Sequence, residues 1–371
     1  MLRVARWQSL ALSIGWTVLL LCGAAVLGEL TVRQRERHRA TVPGTVPLLF
    51  YRHTRLRHAL VRDDDYFGWI HINREGFRGG DVPVGRTPGV ARIMVVGSST
   101  TFDPLVSRDA AAWPARLQFW LQQLAPTRPV EVLNAGVPGY IVVDDLIRLE
   151  TELYRYQPDV VILYEGHNDL FGALRRGVEP RQVDTQTPDE MPSVTPWGHW
   201  LSRHSLLYAK IVERLHVIQF GAAGRRAVVA TGAAARDGAP AGLDSGAIQF
   251  AHAVTAFLAV AQGCGFRVVI PELVHVSGVG VLSEADQQVR QSWIRAMPFA
   301  TPEGVLQGYA RYNAMLRDDA RRFHAVWVPT DSFALKGVEF YADGDPIHFN
   351  DQGADRMGHR LAEALLAKGV L

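Results

Sequence analysis

The stretch ARIMVVG (91–97), followed at once by Ser98-Ser99-Thr100-Thr101, decides how the chain is read. It is a short β-rich run that stops at a glycine and gives way to hydroxyl side chains. Strand-like and helix-like segments alternate downstream of it. AAWPARLQFWLQQL (111–124) has helical spacing, with Leu117, Trp120, Leu121 and Leu124 on one face. PVEVLN (129–134) reads as the next strand and VVDDLIRLETELYRY (142–156) as the next helix. DVVILYEG (159–166) is a third strand, nearly all apolar, as a strand covered on both faces should be. The pattern continues with a helix over 247–261, a strand over 266–272, a helix over 308–323, a strand over 325–329 and a helix over 351–367. Such alternation predicts an α/β fold of three layers, α/β/α, around a mainly parallel central sheet.

The rhythm is interrupted over 170–246. WGHWLSRHSLLYAKIVERLHVIQF (197–220) reads as a helical insertion that could serve as a lid, and the Ala/Gly-rich 225–246 as a mobile loop. Upstream, 31–90 reads as a connector whose aromatics pack on the body, with a turn at Gly76-Phe77-Arg78-Gly79-Gly80. Residues 1–30 contain SLALSIGWTVLLLCGAAVL (9–27), an uncharged run about long enough to cross a bilayer as a helix. It reads as a retained membrane anchor, with a cleaved signal peptide as the alternative. More arginines follow the run than precede it, but long domains translocate largely regardless of nearby charge. The body, 91–371, is therefore expected on the periplasmic or extracellular side.

Composition narrows the classes. The 371 residues are 48% hydrophobic and 20% charged, which excludes a disordered chain and allows a large core. A net charge of +2 gives no nucleic-acid footprint. Two cysteines, Cys22 and Cys264, exclude a disulfide framework and a Cys-based zinc site. No HExxH, Walker A or GxGxxG string stands in a fitting context, and the GxSxG elbow is absent.

Open α/β sheets bind ligands beyond the carboxyl ends of their strands. Four groups of residues fall there. They are Gly97-Ser98-Ser99, then Asn134 through Gly139, then Gly166-His167-Asn168-Asp169, and finally Asp345-Pro346-Ile347-His348. Acyl transfer needs such a set. A serine hydroxyl is a poor nucleophile until a base takes its proton, and a histidine does so near neutral pH. A carboxylate on the other ring nitrogen fixes the tautomer. Backbone N–H groups at glycine and an asparagine amide can receive the developing oxyanion.

The four blocks, in this order and each at a strand end, resemble the SGNH (GDSL-type) hydrolases over roughly 91–367. The stretch DYFGWIHINREGFRG (65–79) resembles the preamble of membrane-anchored bacterial members. The resemblance implies a flavodoxin-like fold and a serine esterase needing no metal or organic cofactor. It implies Ser99 as nucleophile, His348 as base and Asp345 as the residue orienting it. The oxyanion hole would comprise the Ser99 N–H, the Gly139 N–H and Asn168. Two positions depart from the family: Ser98 stands where an Asp is usual, and Asp103 where many members have Gly.

Other residues read as structural. Gly136 suits a turn and Asp169 a helix cap, while His167 suits packing behind the site. His199, Trp200 and His204 could line a cleft or pack a core. The expected substrate is an oxygen ester, with an acyl group, acetyl among the candidates, on a carbohydrate or lipid. An O-acyltransferase using the same residues and a catalytically silent envelope binding or assembly protein are the alternatives. The sequence does not give the oligomeric state.

Overall fold

The computed structural model describes residues 2–38, 50–51, 58–66, 68–176, 196–208, 210–211, 242–276, 287–288, 291–294, 297 and 300–371. Its centre is a sheet of five parallel strands: β5 (Ala91–Gly97), β6 (Val130–Asn134), β7 (Val160–Tyr164), β8 (Arg267–Pro271) and β9 (Val326–Val328). The spatial order is β6-β5-β7-β8-β9. The chain therefore leaves β5 toward one edge to make β6, then returns to the other side of β5 to make β7. That reversal opens a crevice between the carboxyl ends of β5 and β7, the place where such sheets bind ligands. Register sets Gly97 opposite Tyr164 and Val95 opposite Asn134.

Both faces of the sheet are covered, which is why β5 and β7 carry unbroken apolar runs: all five residues of β7 are buried. On one side, α3 (Trp113–Leu124) and α9 (Asp351–Ala367) pack on each other. Gly358 allows their close approach, since a Cβ there would lie 2.7 Å from the Leu117 backbone nitrogen. A second helical group comprises α4 (Val142–Thr151), α5 (His167–Arg176), α7 (Gly242–Gly263) and α8 (Pro302–Arg322). A hairpin of β3 (Asp64–Tyr66) and β4 (Ile70–Ile72) continues the sheet past β6, through antiparallel bridges from Ile72 to Arg78 and from Arg78 to Asn134. A two-residue pair, β1 (Phe50–Tyr51) with β2 (Ala59–Leu60), precedes it.

Several boundaries differ from the sequence reading, each for a local reason. The helix read over 142–156 ends at Thr151, because Glu152 leaves the helical region and 153–156 tightens into a 3₁₀ turn. The helix read over 308–323 begins six residues earlier. Thr301 caps it by accepting a hydrogen bond from the Gly304 N–H at 3.1 Å, and Pro302 at the first helical position suits its start. The interruption over 170–246 is narrower than read, since α5 runs on to Arg176 and α7 starts at Gly242. Within it, α6 (Pro196–His204) is helical, while most of the Ala/Gly-rich loop lies outside the described residues.

Two helices among the described residues are long and apolar enough to cross a membrane. One, Leu243–Gly263, is the core helix α7, with Phe250, Phe257 and Leu258 buried. The other is Leu12–Arg35 in α1 (Leu2–His38), whose apolar side chains are exposed; it could be a membrane anchor or a signal sequence. Cys22 and Cys264 are both exposed and unpaired.

Candidate active site

The turn after β5 is built around Gly97. Its φ is +153°, and a Cβ would lie 2.2 Å from the Tyr164 carbonyl oxygen, so no larger residue fits. The chain then enters α2, a single turn over Ser99–Phe102. The Ser98 carbonyl accepts from the Thr101 and Phe102 N–H groups, and the Ser99 carbonyl from the Asp103 N–H. This geometry separates two adjacent serines. Ser98 is fully buried, whereas Ser99 is partly exposed at the first helical position.

The segment before α9 brings His348 to Ser99. Asn350 caps that helix by accepting from the Gly353 N–H at 3.0 Å, and the Ala342 N–H donates to the His348 carbonyl. His348 Nε2 lies 2.8 Å from Ser99 Oγ, and Nδ1 lies 2.8 Å from Asp345 Oδ2. The other carboxylate oxygen of Asp345 accepts from the Ile347 and His348 N–H groups at 2.9 and 2.8 Å. Burial by itself would raise the Asp345 carboxyl, but facing His348 and accepting these hydrogen bonds hold it below the usual carboxylate value. Burial likewise pushes the His348 imidazole down. The charge and hydrogen bond of Asp345, with Asp103 behind, reverse this and set it above its ordinary value of 6.5.

The remaining blocks meet the same edge. The Val137 N–H donates to the Gly97 carbonyl, and a Cβ on Gly136 would strike the Phe102 nitrogen at 2.4 Å, so the loop after β6 lies directly on α2. Gly139 has φ +84°, a conformation suited to glycine. Asn168 donates from Nδ2 to the Tyr140 carbonyl at 2.8 Å, which ties the start of α5 to that loop. An amide nitrogen carries two hydrogens, and this bond engages one. Asp169 accepts from the Val142 N–H at 3.2 Å, so it supports the start of α4. His167 is buried with Nδ1 2.7 Å from the Tyr309 hydroxyl, and burial pushes its pKa down to about 3, which keeps it neutral. His204 and Trp200 stack on each other on α6; no described contact joins them to Ser99 or His348. The His199 side chain lies outside the described residues.

Ser98 sits in front of two buried carboxyls, Glu165 and Asp145. Burial drives both well above the ordinary value; the charge of Asp144 adds to it at Asp145, and the charge of Asp145 adds to it at Glu165. An Asp in place of Ser98 would press a further carboxylate into this pair, a physical reason for the departure at that position. Asp103 is buried too, at φ +65°, with Oδ2 accepting from the Trp113 N–H. Burial pushes it up to about 7.

Two residues that the sequence reading left out support the site. The Arg78 guanidinium is almost completely buried; it donates to the Phe102 and Asp103 carbonyls at 2.9 and 2.5 Å and pairs with Asp109 at 2.7 Å. His58 lies 2.9 Å from the Pro138 carbonyl, and its own carbonyl accepts from the Tyr140 hydroxyl. The only signal for Arg78 was its place among glycines 76, 79 and 80. Arg78→Ala would strand the Asp103 carbonyl, leave the Phe102 carbonyl with Asn134 and leave Asp109 with the His71 N–H alone, and is expected to cost about 3 kcal/mol. The urea midpoint would show it, with the slope unchanged.

Among the described residues, no group of three or more His, Cys, Asp or Glu is placed to hold a metal ion. A sheet-edge serine, a histidine and an aspartate in line are what an acyl-transferring α/β protein needs. The chain belongs to the GDSL-like Lipase/Acylhydrolase family, which it matches over residues 95–356, a span that holds all four blocks. It is thus a hydrolase of ester bonds. No curated protein sequence matches it. Among solved structures, it is similar to an acetylxylan esterase from Geobacillus stearothermophilus at 12% identity and TM-score 0.42, covering 75% of this chain and 93% of that one. It is also similar to a GDSL-like lipase from Bacteroides thetaiotaomicron at 11% identity and TM-score 0.39, covering 75% and 88% respectively.

Proposed function

We propose that the chain is a serine esterase in which Ser99 is the nucleophile, His348 the base and Asp345 its orienting partner. The observation that carries this reading is the continuous 2.8 Å and 2.8 Å connection from Ser99 Oγ through the imidazole to Asp345. Ser99 Oγ attacks the ester carbonyl carbon as its proton passes to His348 Nε2. The carbonyl oxygen becomes an oxyanion, received by the Ser99 and Gly139 N–H groups and the second amide hydrogen of Asn168. Collapse expels the alkoxide, which takes the proton from His348. A water then attacks the acyl-enzyme, losing its proton to the same nitrogen, and Ser99 is regenerated with release of the acid.

The acyl group is read as small, acetyl among the candidates, on a carbohydrate or lipid. The setting is an envelope with α1 retained as an anchor and the body on the periplasmic or extracellular side. These readings rest on the family and on α1. The test is labelling by a fluorophosphonate beside hydrolysis of p-nitrophenyl esters of increasing chain length. Labelling lost only in Ser99→Ala, with turnover falling off as the chain lengthens, is the expected result. Folded protein that takes up no label would overturn the reading. Labelling without release of acid would turn it to an acyltransferase.

The pH profile offers a separate check. The base must be neutral to take a proton, so activity switches on as pH rises through the His348 pKa. The acid limb of kcat/KM is expected to have its midpoint above 6.5, since Asp345 stabilises the imidazolium.

A further inference from the structure

We infer that α6 and the turn following it are a second membrane contact, lying in the headgroup layer of the bilayer that α1 crosses. The inference rests on α1 being retained as a span. An uncharged helix over residues 9–27 is about 28 Å long at 1.5 Å per residue, close to a hydrocarbon core of about 30 Å. From Leu12 to Leu27 its described side chains are exposed. Coverage begins where the apolar run stops. Gly28, Glu29, Val32 and Arg33 form one helical face, and they are the partly buried positions among the described side chains of α1.

What covers Gly28 and Glu29 is the turn that follows α6. The Glu29 carboxylate accepts from the Ser205 hydroxyl at 2.9 Å and from the Leu206 and Leu207 N–H groups at 3.0 and 2.9 Å. It thereby holds the first turn of the helical segment that begins at Leu206. Arg33 pairs with Glu29 at 2.5 Å and reaches the His204 carbonyl at 3.4 Å. Leu207 lies on Gly28, where a Cβ would meet its Cδ2 at 2.9 Å. The join therefore falls within about two turns of the hydrocarbon boundary, and α6 leads straight into it. On that helix Trp197 and Trp200 are 75% and 51% exposed, and Ile211 beyond the join is 48% exposed. Indole rings have an apolar body and an N–H donor, and concentrate at the level of lipid headgroups. Arg33 and Arg35, on the same side of the run, suit the phosphates there. The occupant is thus the phospholipid surface itself, since Trp200 stands five residues before the join at Ser205, within about 8 Å of it at helical rise.

The test uses the full chain in phosphatidylethanolamine–phosphatidylglycerol liposomes, with Cys22→Ser and Cys264→Ser as background. Spin labels are placed singly through Trp200→Cys, Leu20→Cys on the span and Tyr154→Cys, which is exposed on the body. Oxygen and nickel-chelate accessibilities report depth. A Trp200 label several-fold less accessible to the nickel chelate than the Tyr154 label, and shallower than the Leu20 label, is the expected result. Glu29→Gln should return the Trp200 label toward aqueous accessibility while hydrolysis of a soluble ester stays unchanged. A lipid-buried Leu20 label beside a fully aqueous Trp200 label would overturn the inference and spare the anchor. An aqueous Leu20 label, or an intact mass lacking the run, would overturn both. Spin–spin broadening at position 200 that vanishes on dilution with lipid would assign the surface to a second copy instead.

Discussion

Ser99→Ala is expected to lower kcat/KM on an activated ester by about 10⁴-fold or more, with the fold intact. The local structure does not depend on the side chain. The turn is held by the Ser98 and Ser99 carbonyls and by the space that Gly97 leaves. Ser99 Oγ has one described partner, His348 Nε2, so its removal leaves a base with no hydroxyl to activate. The residual rate is that of water activated by His348 against the oxyanion donors. The neighbouring serine provides the control. Ser98 Oγ is buried and does not meet His348, so Ser98→Ala should keep kcat within a few-fold. Steady-state kinetics with thermal denaturation of both variants checks this. Equal losses in the two would overturn the assignment of the nucleophile.

Asp345→Asn is the second large effect, with an expected loss of about 10³- to 10⁴-fold in kcat. The substitution is nearly isosteric. An amide oxygen can still accept from the Ile347 and His348 N–H groups, so the loop should keep its shape. The amide NH₂ then faces Nδ1 and donates to it. That forces the imidazole to carry its hydrogen on Nε2, where it can no longer take a proton from Ser99. The pH dependence moves as well. Without the carboxylate, only the charge of Asp103 opposes burial at His348, and the acid limb of the residual activity should shift to lower pH than in the parent. Stopped assays between pH 4 and 9, with a matching stability measurement, separate this from unfolding.

The strands and most helices were legible because their burial is one-dimensional. A run such as that of β7 is apolar on both faces, and an amphipathic helix such as α3 shows its period directly. The order of the four blocks was legible for a related reason, since each directly follows a strand or precedes the last helix. The support beneath them was not. Arg78 acts through carbonyls of Phe102 and Asp103, and His58 through Pro138, and backbone acceptors have no residue type to read. The roles of Glu165 and Asp145 were hidden similarly, because two carboxyls distant in sequence share one buried space only after β7 and α4 pack. Helix ends set by caps, such as Thr301 before α8, were also passed over, though that signal is local.

The packing of α9 on α3 has a consequence in time. Ser99 and His348 are 249 positions apart, and neighbouring links from Ser107 to Asp351 and from Arg116 to Asp355 span comparable distances. The proposed nucleophile is therefore synthesised 249 positions ahead of the proposed base. Non-local pairings of this length form slowly, after shorter-range structure has collected. A ribosome-bound or truncated chain that stops before His348 holds a Ser99 hydroxyl without the imidazole proposed to activate it, whatever the state of its sheet. On the proposed mechanism, hydrolytic competence follows closure of this long-range contact and not the assembly of the sheet alone.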